Sequence, residues 1–258
     1  MVKGLDRLRS YFEHYQQNYI IIGGTACEIR LESKGINFRA TKDIDMLLII
    51  EAIDQEFLAQ FWHFIRDGRY EKQNIDQMER KFFRFTNPQA DDFPLILELF
   101  SRKPEGITVP EDFHLTPIPT SEELSYLSAM LMDDDYYNFT IQNCDVLDGL
   151  KVANELALIT LKIKAFLNNL QRKIEGHAVR ENDITKHKRN VLKLMATLTG
   201  NELAICPDII KTDIAGYIDH LRREQPDIKG LTKEAGLGTI ALDDILEQMA
   251  RVFQLEVG

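Results

Sequence analysis

Apolar runs and helical patterns alternate through the first half of the chain. Short apolar runs bounded by turn residues predict buried strands over residues 19–23, 43–50, 82–85 and 95–100. Helical spacing of apolar residues predicts helices over residues 5–15, about 25–33 and 55–66. The pattern therefore predicts a small mixed sheet with helices on one side.

The second half is predicted to be mainly helical. Residues 103–120 contain four prolines and no helical period, which indicates an irregular connection, and Ser121-Glu122-Glu123 resembles a helix start. Strands are predicted near residues 137–141 and 148–152, and helices near 154–170, 183–199, 207–223 and 239–254. We expect an α+β fold, with a mixed-sheet domain over residues 1–120 and a helical bundle over residues 121–258.

Composition is that of an ordinary soluble protein, with 44% apolar and 28% charged residues among 258. No apolar stretch approaches the roughly 20 residues that span a bilayer, and no signal-peptide core follows the first residues. We therefore expect a cytoplasmic protein without a membrane partner. Three scattered cysteines (Cys27, Cys144 and Cys206) form neither a disulfide framework nor a metal knuckle.

The charge is unevenly distributed along the chain. The net charge of −10 argues against a nucleic-acid partner, but residues 162–193 contain nine Lys/Arg and three Asp/Glu, a balance of +6. The rest of the chain therefore carries a net charge of −16. The basic segment is either a local surface for a polyanion or a solvated helix face, and charge alone favours the second.

Two short motifs flank the first two predicted strands. Gly23-Gly24-Thr25 ends the first strand, where glycines let backbone N–H groups approach a phosphate. Asp43 and Asp45 begin the second strand and, at i and i+2, point to the same face, so both carboxylates can bind a hard cation. Each motif alone is more often a plain turn or a solvated strand edge. Together, beside apolar runs, they favour phosphoryl or nucleotidyl transfer.

This arrangement resembles the polymerase-beta-type nucleotidyltransferase fold, and specifically the AbiEii/AbiGii group of bacterial nucleotidyltransferase-like proteins. In that fold a third carboxylate lies on a later strand, and Glu98 within Leu95–Phe100 occupies that place. The family more often has Asp there. The connection between Gly24 and Asp43 is also long, with polar sequence over residues 32–37 that looks inserted.

A second group of polar residues lies in the helical half. Lys162 and Lys164 are on an otherwise apolar helix, where lysines either reach out to solvent or line a site. Asp183 begins a later helix and shares one face with Lys186, His187 and Asn190 at positions i, i+3, i+4 and i+7. That polar face is either exposed to solvent or part of a site.

The family resemblance gives these residues roles. It implies that Lys162 contacts the nucleotide phosphates, with Lys164 as the alternative, and that Asp183 helps to organise the site. It also implies that Asp43 and Asp45, completed by Glu98, hold two Mg²⁺ ions. The phosphates of an NTP would then lie against residues Gly23, Gly24 and Thr25.

The implied reaction is transfer of an NMP from an NTP to an acceptor hydroxyl on RNA (such as tRNA) or on a protein. The resemblance also implies a toxin of a toxin–antitoxin or phage-defence pair, with an antitoxin protein as partner. Two alternatives stay open at the level of sequence. One is a nucleotidyltransferase for a small molecule, as with antibiotics, and the other is a catalytically silent nucleotide-binding protein of the same fold.

Overall fold

The computed structural model describes residues 2–36, 38, 41–71, 82–100, 133–234 and 240–255. The irregular connection predicted over residues 103–120 and the helix start predicted at Ser121 lie outside these ranges. Within the described ranges, no helix combines the length and the apolar run that crossing a bilayer requires.

Six strands form one mixed sheet with the order β3-β4-β2-β1-β6-β5. The strands are β1 (Tyr19–Ile22), β2 (Asp43–Leu48), β3 (Phe82–Thr86), β4 (Ile96–Phe100), β5 (Cys144–Leu147) and β6 (Leu150–Ala153). β1 runs antiparallel to β2 and parallel to β6, whereas β2 runs parallel to β4. β3 is antiparallel to β4, and β5 to β6.

Helices precede, separate and follow these strands. They are α1 (Leu5–Phe12), α2 (Gly23–Glu32), α3 (Gln55–Gly68), α4 (Asp134–Gln142), α5 (Glu155–Ile174), α6 (Glu181–Met195), α7 (Asp208–Glu224), α8 (Lys229–Glu234) and α9 (Leu242–Val252). A short 3₁₀ turn, Ile50–Ala52, follows β2. The α+β fold class is therefore confirmed.

The sheet includes strands from both sides of the domain boundary predicted at residue 120. β6 pairs with β1 through Ile21 and Val152, so a strand from the second half lies directly beside the glycine-motif strand. The apolar side chains of β1 are fully buried between these neighbours and the helices. One continuous hydrophobic cluster joins the sheet to the helices of the second half.

The strand predicted over residues 137–141 is wrong, because this segment lies in helix α4. Asp133 caps the helix by accepting a hydrogen bond from the backbone N–H of Asp135 at 2.9 Å. Tyr136, Tyr137 and Phe139 are then buried in the core by the helical arrangement. The high strand propensity of these aromatic residues is thus outweighed by the helix cap and by tertiary packing.

The strand predicted over residues 148–152 begins later, at Leu150, and its partner β5 was missed. Asp148 and Gly149 form the tight turn between them, both with positive φ (49° and 77°). An Asp-Gly pair at such φ values is the preferred two-residue hairpin turn. That dipeptide was the sequence signal for β5.

Candidate active site

Three predicted carboxylates lie at adjacent positions of β2 and β4. The two strands are parallel, with Asp45 directly opposite Glu98 and Asp43 opposite Ile96. Asp43 and Asp45 are two residues apart and so point to the same side of the sheet. On the other side of β4, Arg84 of β3 is opposite Glu98. Asp45, Glu98 and Arg84 therefore form a row across three strands.

The centre of this row is deeply buried. Glu98 is 1% exposed and shares a hydrogen bond with Asp45. Burial, with the charge of Asp45 beside it, raises the pKa of Glu98 to about 9, although the Arg84 guanidinium opposes the rise. Arg84 Nε lies 3.2 Å from Glu98 Oε1. At neutral pH Glu98 is therefore protonated, and its O–H can donate a hydrogen bond to Asp45.

Asp45 is held from the other side by the glycine turn. α2 begins at Gly23, immediately after β1, and the backbone N–H of Gly24 donates to Asp45 Oδ2 at 3.2 Å. Gly23 has φ +67°, and a Cβ built there would overlap the Asp45 carboxylate. A Cβ on Gly24 would lie 3.1 Å from Thr41 Oγ1. The turn thus brings backbone directly against the carboxylate.

Thr25 is placed differently from the expectation that its hydroxyl contacts phosphate. Its side chain is fully buried, and the hydroxyl donates to the main-chain oxygen of Asp43 at 2.6 Å. That bond ties the first turn of α2 to the start of β2. The Thr25 hydroxyl therefore positions the carboxylate strand.

Lys162 reaches this region from helix α5. Its side chain is buried, at 7% exposed, and its charge acts on the titration of Asp45 in β2 and of Cys27 in α2. Burial raises the pKa of Asp45, and the ammonium of Lys162 opposes that rise. A buried cation thus acts on a buried carboxylate, and the predicted contact of Lys162 with nucleotide phosphates stays a prediction.

Lys164 lies elsewhere. Two residues along a helix correspond to a rotation of about 200°, so Lys162 and Lys164 are on nearly opposite faces of α5. Lys164 Nζ is 2.7 Å from Asp213 Oδ2, and it lies over the ring of Tyr136. The Tyr136 hydroxyl donates to the same Asp213 oxygen at 2.6 Å. The structure therefore does not bring Lys164 to the carboxylates of the sheet.

Asp183 and His187 are on the buried side of α6, the helix that packs against α5. Arg180 Nε donates to Asp183 Oδ2 at 3.0 Å, within the first turn of the helix. One turn later, burial lowers the pKa of His187 well below its usual range, and the charges of Lys162 and Lys186 lower it further. His187 is therefore neutral at physiological pH, and the charge of Lys162 contributes to that state.

The adjoining stripe of α6 lines a cavity of about 340 Å³. Its α6 residues recur at helical spacing and are all polar, namely Asn182, Thr185, Lys186, Arg189, Asn190 and Lys193. Lys186 Nζ lies 3.8 Å from Asp183 Oδ1 at the border of the two stripes. Phe38, from the connection that leads into β2, also lines the cavity. We call this cavity the α6 groove. The described residues that line it include three cations and no carboxylate.

The carboxylate pair has the chemistry of a magnesium site. Mg²⁺ is usually bound by one or two carboxylates, with substrate phosphates and water completing its shell. Asp43 and Asp45 can supply such a pair, and a cation would offset the repulsion among the acidic groups. Among the described residues, no group of three or more His, Cys, Asp or Glu side chains is arranged to hold a metal ion.

Sequence reasoning missed two residues of this region. Arg84 is the polar residue between Phe83 and Phe85 in β3, the same kind of interruption that drew attention to Glu98. His187 was noted only as part of a polar stripe, and its burial depends on the rotation of α6 against α5. Neither a scan against protein-family models nor a search of curated proteins found a match to this chain.

Proposed function

We propose that this protein is a Mg²⁺-dependent nucleotidyltransferase, similar to the AbiEii/AbiGii group, that moves an NMP from an NTP to an acceptor hydroxyl. The main support is the pairing of Asp45 with Glu98 across parallel strands, directly against the Gly23-Gly24 turn. Two carboxyl groups buried side by side have strongly shifted pKa values, and such groups are concentrated at functional sites.

The roles of the carboxylates differ. Asp43 and Asp45 would hold Mg²⁺, which when bound neutralises charge on the phosphates of the substrate. Glu98, buried and protonated, would hold the Asp45 carboxyl in its orientation through their hydrogen bond. The 1% exposure of Glu98 favours this role over direct proton transfer from an acceptor.

The positive groups complete the proposed site. Lys162 would neutralise the charge that develops on the departing pyrophosphate, because a fixed cation in a buried site needs no reorganisation during reaction. Asp183, one turn before His187 on the same face of α6, would help to fix the helix that packs beside Lys162. The Gly23 and Gly24 backbone would approach the substrate phosphates once Mg²⁺ engages Asp45.

The acceptor in this proposal is RNA, such as tRNA, or a protein, and the biological setting is a toxin restrained by an antitoxin protein. A second candidate is a catalytically silent nucleotide-binding protein. It is favoured by one observation, that the Gly24 N–H and the Glu98 carboxyl are both already engaged with Asp45.

The test is incubation with each labelled NTP, Mg²⁺ and total cellular RNA or protein. The control is the double variant Asp43→Asn/Asp45→Asn, which keeps side-chain shape and removes both charges. We expect label on a macromolecule with the native protein and none with the control. Nucleotide binding by calorimetry without any transfer would instead establish the silent alternative, and equal transfer by the control would refute the metal assignment.

A further inference from the structure

We infer that the α6 groove binds a single-stranded nucleic acid, so that the acceptor of the proposed reaction is a polynucleotide strand. This inference rests on the proposed function for the reaction, but not for the binding. Its basis is the lining of the groove, which combines three cations on one stripe of α6 with the aromatic residue Phe38 from another part of the chain.

The spacing of the cations suits a chain of phosphates. Lys186, Arg189 and Lys193 follow one stripe of α6, and seven residues of helix span about 10 Å along the axis. A helical nucleic-acid strand has one phosphate per about 3.4 Å of rise, so this span covers about four phosphates and lets three cations contact a run of them. The phosphates of one NTP would instead gather at the carboxylates and Lys162.

The remaining lining groups suit bases and sugars. Phe38 packs partly against the core and also lines the groove, where it contributes an aromatic ring, the kind of group on which unpaired bases stack. Asn182, Thr185 and Asn190 supply amide and hydroxyl groups between the cations. A cationic track opposite an aromatic platform is the general design of single-strand binding sites, whereas the bases of a duplex are already stacked.

The groove is also placed to deliver a strand to the proposed site. Phe38 lies five residues before Asp43, in the connection that leads into β2. The stripe of α6 next to the groove buries Asp183 and His187, and α6 packs against α5, the helix that carries Lys162. A strand in the groove would therefore run beside the elements that hold the carboxylates. The overall charge of −10 would limit non-specific binding elsewhere.

The experiment measures binding by fluorescence anisotropy, with a labelled 12-nucleotide single-stranded RNA and no NTP or Mg²⁺. The test variant is Lys186→Gln/Arg189→Gln/Lys193→Gln. A matched control, Lys3→Gln/Arg222→Gln/Arg223→Gln, removes three exposed cations outside the groove. We expect at least tenfold weaker binding for the test variant, with the salt dependence reduced by about 2 in log–log slope, and little change for the control.

Phe38→Leu provides a second variant that keeps an apolar side chain and removes the stacking face. We expect at least fivefold weaker binding of single strands. Circular dichroism of every variant checks that the fold is kept. If the triple variant does not fold, the single substitution Arg189→Gln replaces it in the binding measurement. Single-stranded DNA and an RNA duplex of the same sequence complete the set.

Equal loss in the control variant, tighter binding of the duplex, or unchanged binding by the test variants would each overturn the inference. Different results would refute the proposed function. Binding of the RNA strand with no transfer of label would support the groove assignment and refute the proposed reaction. Transfer of label to a protein without binding of the strand would support the reaction and refute the groove assignment.

Discussion

Two clusters that α5 contributes to with different lysines differ in how their carboxylates are paired. Around Asp213, a carboxylate forms an ion pair with the ammonium of Lys164 and accepts a hydrogen bond from the Tyr136 hydroxyl. Around Asp45, a carboxylate lies opposite a second carboxyl, Glu98, and feels the charge of Lys162. The first cluster pairs one carboxylate with one cation, whereas the second holds two carboxyl groups, one of which keeps a proton.

The neighbouring charges and the burial of the two carboxylates explain this difference. An opposite charge in contact favours the ionised form of a carboxyl, whereas burial beside another carboxyl disfavours it. The Asp213 cluster therefore stabilises the packing of α4, α5 and α7, whereas in the Asp45 cluster the second carboxyl, Glu98, keeps its proton. Matched substitutions in the two clusters separate these effects.

The largest contrast is expected between Asp45→Asn and Asp213→Asn. The first should lower nucleotidyl transfer by at least about a thousandfold, because losing a metal ligand costs several kcal/mol in the transition state. It should change the melting temperature little, because Asn keeps the shape of the side chain and an oxygen that can accept the hydrogen bond of protonated Glu98. The second should keep activity and lower stability by about 1–2 kcal/mol. Transfer rates and thermal melts measure both, and the opposite pattern would reverse the two assignments.

A smaller contrast is expected between the two lysines of α5. Lys162→Met should reduce the transfer rate by about a hundredfold, because the buried cation near Asp45 is lost. Lys164→Met should leave the rate within about twofold and lower the free energy of unfolding by about 1 kcal/mol, since Asp213 loses its ion pair. Equal rates for the two variants would exclude the assigned role of Lys162.

Two glycines provide the next test. Gly23→Ala should destabilise the protein by about 1–2 kcal/mol, because the residue has φ +67° and its Cβ would overlap Asp45. The displaced carboxylate should lower activity as well. Gly216 lies in α7 with no neighbour near its built Cβ, so Gly216→Ala should stabilise by up to about 1 kcal/mol. Chemical denaturation measures both, and a stable, active Gly23→Ala variant would show that the close approach is dispensable.

The subtlest effect is in the pH dependence of stability. Because the folded-state pKa of Glu98 is about 9 and its usual value is 4.5, the folded protein binds more protons than the unfolded chain between these values. Stability should therefore fall as pH rises from about 5 to 9. Glu98→Gln, which mimics the protonated form, should flatten this decline in urea titrations. An unchanged slope would indicate that Glu98 is ionised in the folded protein.

The sequence predicted the strands that bear the motifs because their apolar runs and turn residues agree with each other. Asp45 and Glu98 were both identified, but their direct pairing depends on the register of β2 against β4, which no local pattern specifies. The choice between Lys162 and Lys164 likewise depends on the rotation of α5. Helix α4 was mistaken for a strand because local propensity and tertiary packing disagree there.

The Thr25 hydroxyl illustrates a further limit of sequence reasoning. A hydroxyl after a Gly-Gly turn has the same sequence signature whether it faces a phosphate or the backbone of the next strand. Only the packing of α2 on β2 determines that it donates to the oxygen of Asp43. A residue that holds the carboxylate-bearing strand in place can therefore look like a ligand-binding residue in the sequence.

The parallel pairing of β1 with β6 has a consequence for how the protein is made. Ile21 pairs with Val152 across more than half the length of the chain, and Lys162 follows about two turns into α5. A ribosome that has synthesised the glycine and aspartate motifs has therefore made only the two central strands of the six-stranded sheet. Because contacts so distant in sequence form late, Lys162 comes under the sheet only after most of the polypeptide has been synthesised. The proposed site is therefore incomplete in a nascent chain until the second half folds onto the first.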